Sequence, residues 1–191
     1  MGQRLELRDG GSVFYEEAFL DRAAADELCA LLRRNTPWQQ EIGRGRPFPR
    51  LTAYYADPGV QYSYSGVTHQ AARWTPALLD LKAKVELAAQ ENFNSLLLNL
   101  YRDGQDSIGF HADDEPELGR KPVIGSVSLG GVRRFILKHK KTKEKFAFDL
   151  AHGSLLVMGG ASQHHWLHGV PKTTEAVGER VNLTFRRISV P

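Results

Sequence analysis

SLLLNLY, residues 95–101, is a short β-type run that ends near the turn residues Asp103-Gly104. Further runs of the same kind, separated by turn residues, continue almost to the end of the chain. They cover residues 108–111, 123–129, 134–139, 145–150, 154–158, 164–168 and 180–188. So many short strands in one block predict a double-sheet jelly roll, also called a double-stranded β-helix.

Two helices precede this block. Residues 21–35 place apolar side chains on one helical face, behind Asp21 as a capping residue. A second helix begins at Thr75-Pro76, with a capping side chain and then proline in the first turn, and extends to about residue 92. N-terminal helices packed on one sheet of the jelly roll give an α+β fold. We expect one domain over residues 1–191, with the jelly-roll core in residues 93–191.

Composition limits the classes of protein and of site. Hydrophobic residues make up 41% of the chain, which predicts a folded globular protein. The single cysteine, Cys29, excludes an internal disulfide and a multi-cysteine zinc site. No signal sequence and no apolar run that could cross a bilayer is visible, so we expect a cytoplasmic protein, nucleoid-associated if bacterial, with no membrane partner. The net charge of +3 only weakly indicates an anionic partner, and a monomer is expected.

His111, Asp113 and His168 form the strongest chemical motif. On a strand, residues two apart point to the same side, so His111 and Asp113 can project inward together while Ala112 faces away. His168 must then arrive on another strand. Two imidazoles and one carboxylate can hold one face of a ferrous ion and leave the opposite face open. Zinc is the competing metal, and a solvent-facing acidic turn at residues 113–117 is the alternative without a metal.

A second motif, Arg180, Asn182, Thr184 and Arg186, alternates along one predicted strand near the C-terminus. All four side chains therefore face the same way. They either line an interior pocket or form a solvated face, in which case the apolar residues between them point inward. Alternation alone leaves these two interpretations about even.

The pattern His-x-Asp … His, followed by Arg-x-Asn-x-Thr-x-Arg, resembles the AlkB family of Fe(II)/2-oxoglutarate-dependent dioxygenases. The resemblance covers roughly residues 38–188 and is closest to the branch that repairs alkylated DNA. It implies an enzyme that uses Fe(II), 2-oxoglutarate and O2. It also implies that the His-Asp-His triad both binds the metal and carries the catalysis.

The same resemblance assigns the pocket for 2-oxoglutarate. By it, Arg186 pairs with the distal carboxylate, Arg180 lies near the chelating end, and Asn182 assists. Asn99 and Tyr101 match the other wall of the pocket in this family. All five residues are therefore expected to bind the cosubstrate.

The implied activity is oxidative demethylation of N-alkylated bases, such as 1-methyladenine and 3-methylcytosine, in DNA or also in RNA. Formaldehyde, succinate and CO2 are the products. A base inside a duplex must be flipped out to react, and residues 38–70 resemble a nucleotide-recognition lid. The residues expected to contact the substrate are Tyr62, Tyr64, Glu115, Asp114, Ile42 and Arg50.

Most of these residues are assigned to the substrate on chemical grounds. Asp114 and Glu115 favour cationic methylated bases, and Glu115 is the expected contact with the base. Tyr64 offers an aromatic platform and Tyr62 a polar contact, although ordinary strand packing explains Tyr62 equally well. Ile42 lies in a glycine-rich hairpin with arginines, where it fits either a wedge between bases or a plain surface loop.

Basic residues are expected to contact phosphates: Arg44 and Arg46, and the stretch 133–145. The alternative is that they are solvated strand ends and a hairpin tip. Two rival functions also stay open, namely a hydroxylase of the same fold acting on tRNA, protein or lipid, and a non-catalytic jelly-roll binding module. The first shares every iron and cosubstrate residue, so only the lid and the basic stretches favour nucleic acid. The second is disfavoured because all of those residues are present.

Overall fold

The computed structural model describes residues 2–43, 45–60 and 71–189 with their side chains, and the backbone alone of residues 62–64 and 67–69. Its helices are α1 (Arg22–Asn35), α2 (Pro76–Ala89) and the short α3 (Ser162–His165). Its strands are β1 (Gln3–Leu7), β2 (Gly11–Glu16), β3 (Ile42–Gly43), β4 (Arg46–Pro47), β5 (Leu51–Ala56), β6 (Tyr62–Tyr64), β7 (Val67–His69), β8 (Ser95–Tyr101), β9 (Ile108–His111), β10 (Ile124–Gly130), β11 (Arg133–His139), β12 (Lys145–Leu150), β13 (Ser154–Gly160), β14 (Trp166–Val170) and β15 (Arg180–Arg186). Short 3-10 turns lie at Arg8–Gly10 and Pro116–Leu118.

Two antiparallel sheets make up the core. The large sheet has seven strands in the order β1-β2-β13-β10-β15-β8-β5, and the small sheet has four in the order β12-β11-β14-β9. Apolar side chains from both sheets form one buried cluster, with Ile124 and Leu156 on the large sheet and Phe135 and Leu137 on the small one. This is the double-sheet packing expected from the run of short strands, and the jelly-roll fold is confirmed.

Both long helices pack on the large sheet, on the side away from the small one, and share a second buried cluster with it. α1 begins where predicted, because the Asp21 carboxylate accepts a hydrogen bond from the Ala24 amide at 2.9 Å. Thr75 caps α2 in the same way, and its Oγ1 accepts from the Leu78 amide at 3.3 Å. No helix in the part of the chain described here is long and apolar enough to span a membrane.

The structure adds elements that the sequence did not predict. β1 and β2 form an N-terminal hairpin that joins the large sheet through β13. This hairpin escaped notice because most of β1 is polar and exposed, so it carries little hydrophobic periodicity. β5 pairs with β8, which makes residues 51–56 part of the core although the expected lid spans residues 38–70. Residues 162–165 form α3, where the sequence predicted a strand beginning at His164.

A substitution at Gly130 tests how closely the end of β10 approaches the residues just before β15. It has a φ of +86°, and a Cβ there would lie 2.3 Å from the carbonyl oxygen of Glu179. We expect Gly130→Ala to lower the free energy of unfolding by about 3 kcal/mol, because left-handed strain and a backbone clash add together. Gly59→Ala is the control, since Gly59 has a φ of +84° but meets nothing within 4 Å, and it should lose about 1 kcal/mol. Urea unfolding followed by circular dichroism measures both, and equal losses would contradict the close approach.

Candidate metal centre

Three side chains meet between the two sheets. His111 ends β9, Asp113 follows two residues later, and His168 on β14 lies directly opposite His111. The distance from Nε2 of His111 to Oδ1 of Asp113 is 3.9 Å, and that from Nε2 of His168 to Oδ2 of Asp113 is also 3.9 Å. One ligand atom from each residue lies within 4.8 Å of the others, which is close enough for the three to hold one metal ion.

Both imidazoles are in the form that binds a metal. Nδ1 of His111 lies 2.9 Å from the carbonyl oxygen of Gly109, so Nδ1 carries the proton and Nε2 is the nitrogen on the side of Asp113. Burial lowers the pKa of His111 below its ordinary value. Burial, together with the neighbouring His111, lowers the pKa of His168 to about 3. Both rings are therefore neutral at neutral pH.

Asp113 is a fully buried carboxylate. Nη2 of Arg186, which lies on β15 of the large sheet, donates to Oδ1 at 2.9 Å and to Oδ2 at 3.0 Å. Burial alone would raise the pKa of Asp113, but Arg186 and the two histidines outweigh it and lower the pKa to about 2. The sequence assigned Arg186 to the distal carboxylate of 2-oxoglutarate, whereas in this structure its guanidinium pairs with the triad carboxylate.

A cavity between the sheets extends from the triad to Arg180. The predicted pocket residues Asn99, Tyr101 and Asn182 all line it. Two neutral imidazoles and one ionised carboxylate are the donor set of a ferrous site, so the residues at this end of the cavity fit Fe(II). Such a set leaves metal positions open for ligands that enter the cavity.

Arg180 closes the other end of the cavity and is 1% exposed. Its Nη2 donates to Ser128 Oγ at 2.8 Å, and its guanidinium lies 5.1 Å from the centre of the Tyr101 ring. Its Nε and Nη1 atoms have no hydrogen-bond partner among the described residues, and burial lowers the pKa of the group. A buried guanidinium with two such donors fits a ligand carboxylate. Arg180 therefore offers a buried cation to a ligand carboxylate at this end of the cavity.

Gln163 is a residue of the site that the sequence did not reveal. It lies in α3, is 1% exposed, and its Oε1 accepts a hydrogen bond from the backbone amide of Asp113 at 3.0 Å. Its carbonyl oxygen accepts from Nζ of Lys140 at 3.0 Å, and the same Nζ lies 3.2 Å from Oδ2 of Asp114. α3 thus fixes the backbone that carries the metal-binding carboxylate. α3 has only four residues, all of them polar, so it shows no hydrophobic periodicity by which Gln163 could be recognised.

The two expected acidic contacts to the base lie in different surroundings. Asp114 forms its ion pair with Lys140 at the surface. Glu115 is partly buried, and its Oε2 has no hydrogen-bond partner in the portion of the chain that is described. Burial raises the pKa of Glu115, and the charge of Asp113 raises it further. A cationic base would relieve that unfavourable environment, so Glu115 suits this contact better than Asp114 does.

The remaining expected substrate contacts fare differently. Arg50 is 3% exposed and its Nε donates to Oδ1 of Asn99 at 2.6 Å, so it supports the wall of the cavity from within. Ile42 is 66% exposed in the β3–β4 hairpin, which leaves it available as a wedge. Outside the described residues lie Arg44 and the side chains of Tyr62 and Tyr64.

The basic stretch 133–145 is only partly available to phosphates. Arg133 is buried and donates to the carbonyl oxygens of Asp103, Asp106 and Pro171, so the expectation of a phosphate contact is wrong for this residue. Arg134 lies at the surface but forms a two-bond ion pair with Asp149. The lysines that follow along the β11–β12 hairpin are therefore the better candidates.

A second cluster, Asp9, His139 and His165, also brings three potential ligand atoms within 4.8 Å of one another. Its hydrogen bonds argue against a metal. Nδ1 of His139 accepts from the backbone amide of Thr142 at 3.0 Å, so the proton of the neutral ring lies on Nε2, where it donates to Asp9 at 2.9 Å. A metal needs that nitrogen unprotonated. This cluster therefore serves to join the turn between β1 and β2 to the β11–β12 hairpin.

Comparison with known proteins agrees with this geometry. Residues 12–186 match the model of the 2OG-Fe(II) oxygenase superfamily. The chain is 41% identical over 184 residues to alpha-ketoglutarate-dependent dioxygenase alkB homolog 3 of Mus musculus, covering 89% of this chain and 64% of that protein. It is 37% identical over 182 residues to DNA oxidative demethylase ALKBH2 of Homo sapiens, covering 87% of this chain and 70% of that protein. The chain thus spans less than two thirds of the length of the alkB homolog 3 relative.

Two solved structures share the fold. The structure of OsALKBH1 has a TM-score of 0.69 at 16% identity, covering 97% of this chain and all of the other. A prolyl-4-hydroxylase of Pseudomonas putida has a TM-score of 0.60 at 18% identity, with 92% of each chain covered. At such identities the likeness concerns the fold alone, and it agrees with the jelly-roll core.

Gln163→Met tests whether α3 positions the metal-binding carboxylate. Methionine has a similar volume, but its sulfur is a far weaker acceptor for the hydrogen bond from the Asp113 amide. We therefore expect Mn²⁺, a substitute for Fe(II), to bind about tenfold more weakly. Electron paramagnetic resonance of free Mn²⁺ measures the constant. Ser162→Ala is the matched control, because it removes the hydroxyl that accepts a 3.4 Å hydrogen bond from Gln163 Nε2 but leaves the Gln163 Oε1 acceptor in place. It should leave the affinity unchanged. Wild-type affinity in Gln163→Met would contradict the positioning role.

Proposed function

Because this chain belongs to the AlkB family, within the 2OG-Fe(II) oxygenase superfamily, we propose that it oxidatively demethylates N-alkylated bases in nucleic acid. The observation that supports this most directly is the cavity between the sheets. One end offers the donors of a ferrous site, and the other offers Arg180 with two hydrogen-bond donors that no described residue uses. A dicarboxylate that spans the cavity satisfies both ends at once. The name of a relative, DNA oxidative demethylase, supports nucleic acid as the substrate class.

Bound iron and 2-oxoglutarate, with O2, supply the oxidising power that turns a methyl C–H bond into C–OH. The chain's own residues bind and orient the reactants. His111 and His168 bind the metal as neutral rings, and Arg186 keeps Asp113 ionised beside them. Arg180 would hold the distal carboxylate of 2-oxoglutarate through the donors that no described residue uses. The apolar part of the cavity lining, which includes Ile108, Phe135 and Met158, limits the access of water to this arrangement.

On the substrate side, Glu115 contacts the cationic methylated ring. Its raised pKa shows an environment that disfavours a lone carboxylate, and a positive charge beside it reverses that preference. Once hydroxylated, the methyl group leaves the ring nitrogen as formaldehyde, and the base regains its neutral, pairing form. Several expectations stay predictions from the sequence. They are the stacking role of Tyr64, the polar contact of Tyr62, the Ile42 wedge, the monomeric state and the cytoplasmic location.

The test of this function is turnover on an oligodeoxynucleotide that carries one 1-methyladenine, with Fe(II), 2-oxoglutarate and O2. We expect formaldehyde in the same amount as the repaired base, from the methylated strand and not from its unmethylated control. Asp113→Asn should abolish it, because the metal loses its anionic ligand. Turnover on matched single-stranded DNA, duplex DNA and RNA substrates shows which polymer the enzyme prefers. Absence of formaldehyde from all three, with metal and 2-oxoglutarate bound, would favour a hydroxylase that acts on another substrate.

The two arginines of β15 give a second prediction. Arg180→Met should weaken binding of 2-oxoglutarate about a hundredfold, because a buried carboxylate loses its charged partner. The affinity for Mn²⁺ should stay the same, since Arg180 lies at the far end of the cavity from the triad. Arg186→Met should weaken the binding of 2-oxoglutarate less than Arg180→Met does. Calorimetric titration of the Mn²⁺-loaded proteins measures the constants, and the opposite ranking of the two variants would contradict the assignment.

A further inference from the structure

β9 contains a bulge directly before the first triad residue. Ile108 pairs with Val170 and His111 pairs with His168, so two residues of β9, Gly109 and Phe110, lie opposite one residue of β14. The bulge lets both Ile108 and His111 line the cavity. It also turns Phe110 out of the sheet, where its side chain is 45% exposed.

Phe110 directly precedes His111, the first residue of the triad. His111 is the most exposed of the three triad side chains, at 18% against 7% for His168 and none for Asp113. β9 is also the edge strand of the small sheet. Phe110 is the only aromatic among the large apolar side chains that are exposed in the described part of the chain. An exposed ring at this position has no packing role in the core.

The surface around Phe110 is positively charged. Nζ of Lys138, on β11, lies 5.5 Å from the centre of the Phe110 ring. Lys138 is directly opposite Lys145 in the register of β11 and β12, so two like charges share the outer face of the small sheet. Neither lysine lies within salt-bridge distance of a carboxylate among the residues described. Such a pair is unfavourable in isolation and is relieved by a polyanion.

We propose that Phe110, Lys138 and Lys145 form a docking surface for the nucleic-acid strand next to the base that enters the cavity. The inference rests on the proposed function and adds to it a place for the flanking nucleotides. A base stacks on the Phe110 ring, and Lys138 and then Lys145 contact phosphates as the strand continues across the small sheet toward β12. An apolar peptide would need an apolar groove, whereas here the ring has a lysine, Lys138, beside it and a second lysine, Lys145, on the far strand of the same sheet. The surface recognises stacking and charge, and so it is indifferent to base sequence.

Phe110→Ala is the direct test, with binding of a fluorophore-labelled single strand that carries one 1-methyladenine measured by anisotropy in the presence of Mn²⁺ and 2-oxoglutarate. We expect about tenfold weaker binding, the usual effect of losing one stacking platform. Phe110→Trp should keep most of the affinity because it keeps a ring. Leu87→Ala is the control, since Leu87 is an exposed apolar residue on α2, far from the small sheet, and it should bind like the wild type.

The lysines have a separate readout. Each of Lys138→Gln and Lys145→Gln should reduce the slope of log affinity against log salt by about 0.7, because each removes one phosphate contact to a single strand. Mn²⁺ affinity should be unchanged in all variants, which separates docking from an effect on His111. Wild-type binding by Phe110→Ala, or a parallel loss of Mn²⁺ affinity, would overturn the docking surface and leave the demethylase proposal standing. Failure of the wild-type protein to bind any methylated strand would overturn both.

Discussion

The site depends on one buried charge, the carboxylate of Asp113, which no solvent reaches. An unpaired carboxylate at such a position is strongly destabilising, and removing one partner from a buried pair typically loses about 3–5 kcal/mol. The fold compensates this charge with Arg186 from the large sheet, which donates to both carboxylate oxygens. The histidines of the small sheet lie beside the carboxylate, and Gln163 from α3 holds the backbone amide of the same residue. The two sheets must therefore meet at this residue, and the same meeting creates the metal centre.

The sequence predicted which residues form the site, but it did not predict which end of β15 lies at the triad. The His-x-Asp spacing and the later histidine predicted the triad that the structure brings together, although Asp113 lies just after β9 and not on it. The strand Arg180–Arg186 was undecidable from alternation, since every one of its residues is buried in the structure. Its apolar residues pack toward the helices, while its polar residues line the cavity. Which arginine lies at the triad depends on how β15 runs relative to β9, and no local pattern records that.

The features that the sequence did not predict share one physical cause. Tertiary contacts specify them, and no hydrophobic periodicity marks them in the sequence. The β1–β2 hairpin is held by pairing with β13, and Gln163 acts through one hydrogen bond to a backbone amide. Arg133 looked like a surface cation but is buried among three carbonyl oxygens. Phe110 was hidden by its bulge, because a regular strand would have turned either Ile108 or His111 away from the cavity.

A crystal structure with Mn²⁺ and 2-oxoglutarate bound tests the central claim most directly. The account predicts that the metal lies among His111, Asp113 and His168, and that the distal carboxylate of 2-oxoglutarate forms a two-bond pair with Arg180 while Arg186 stays on Asp113. A distal carboxylate on Arg186, with Arg180 left without a ligand contact, would contradict it.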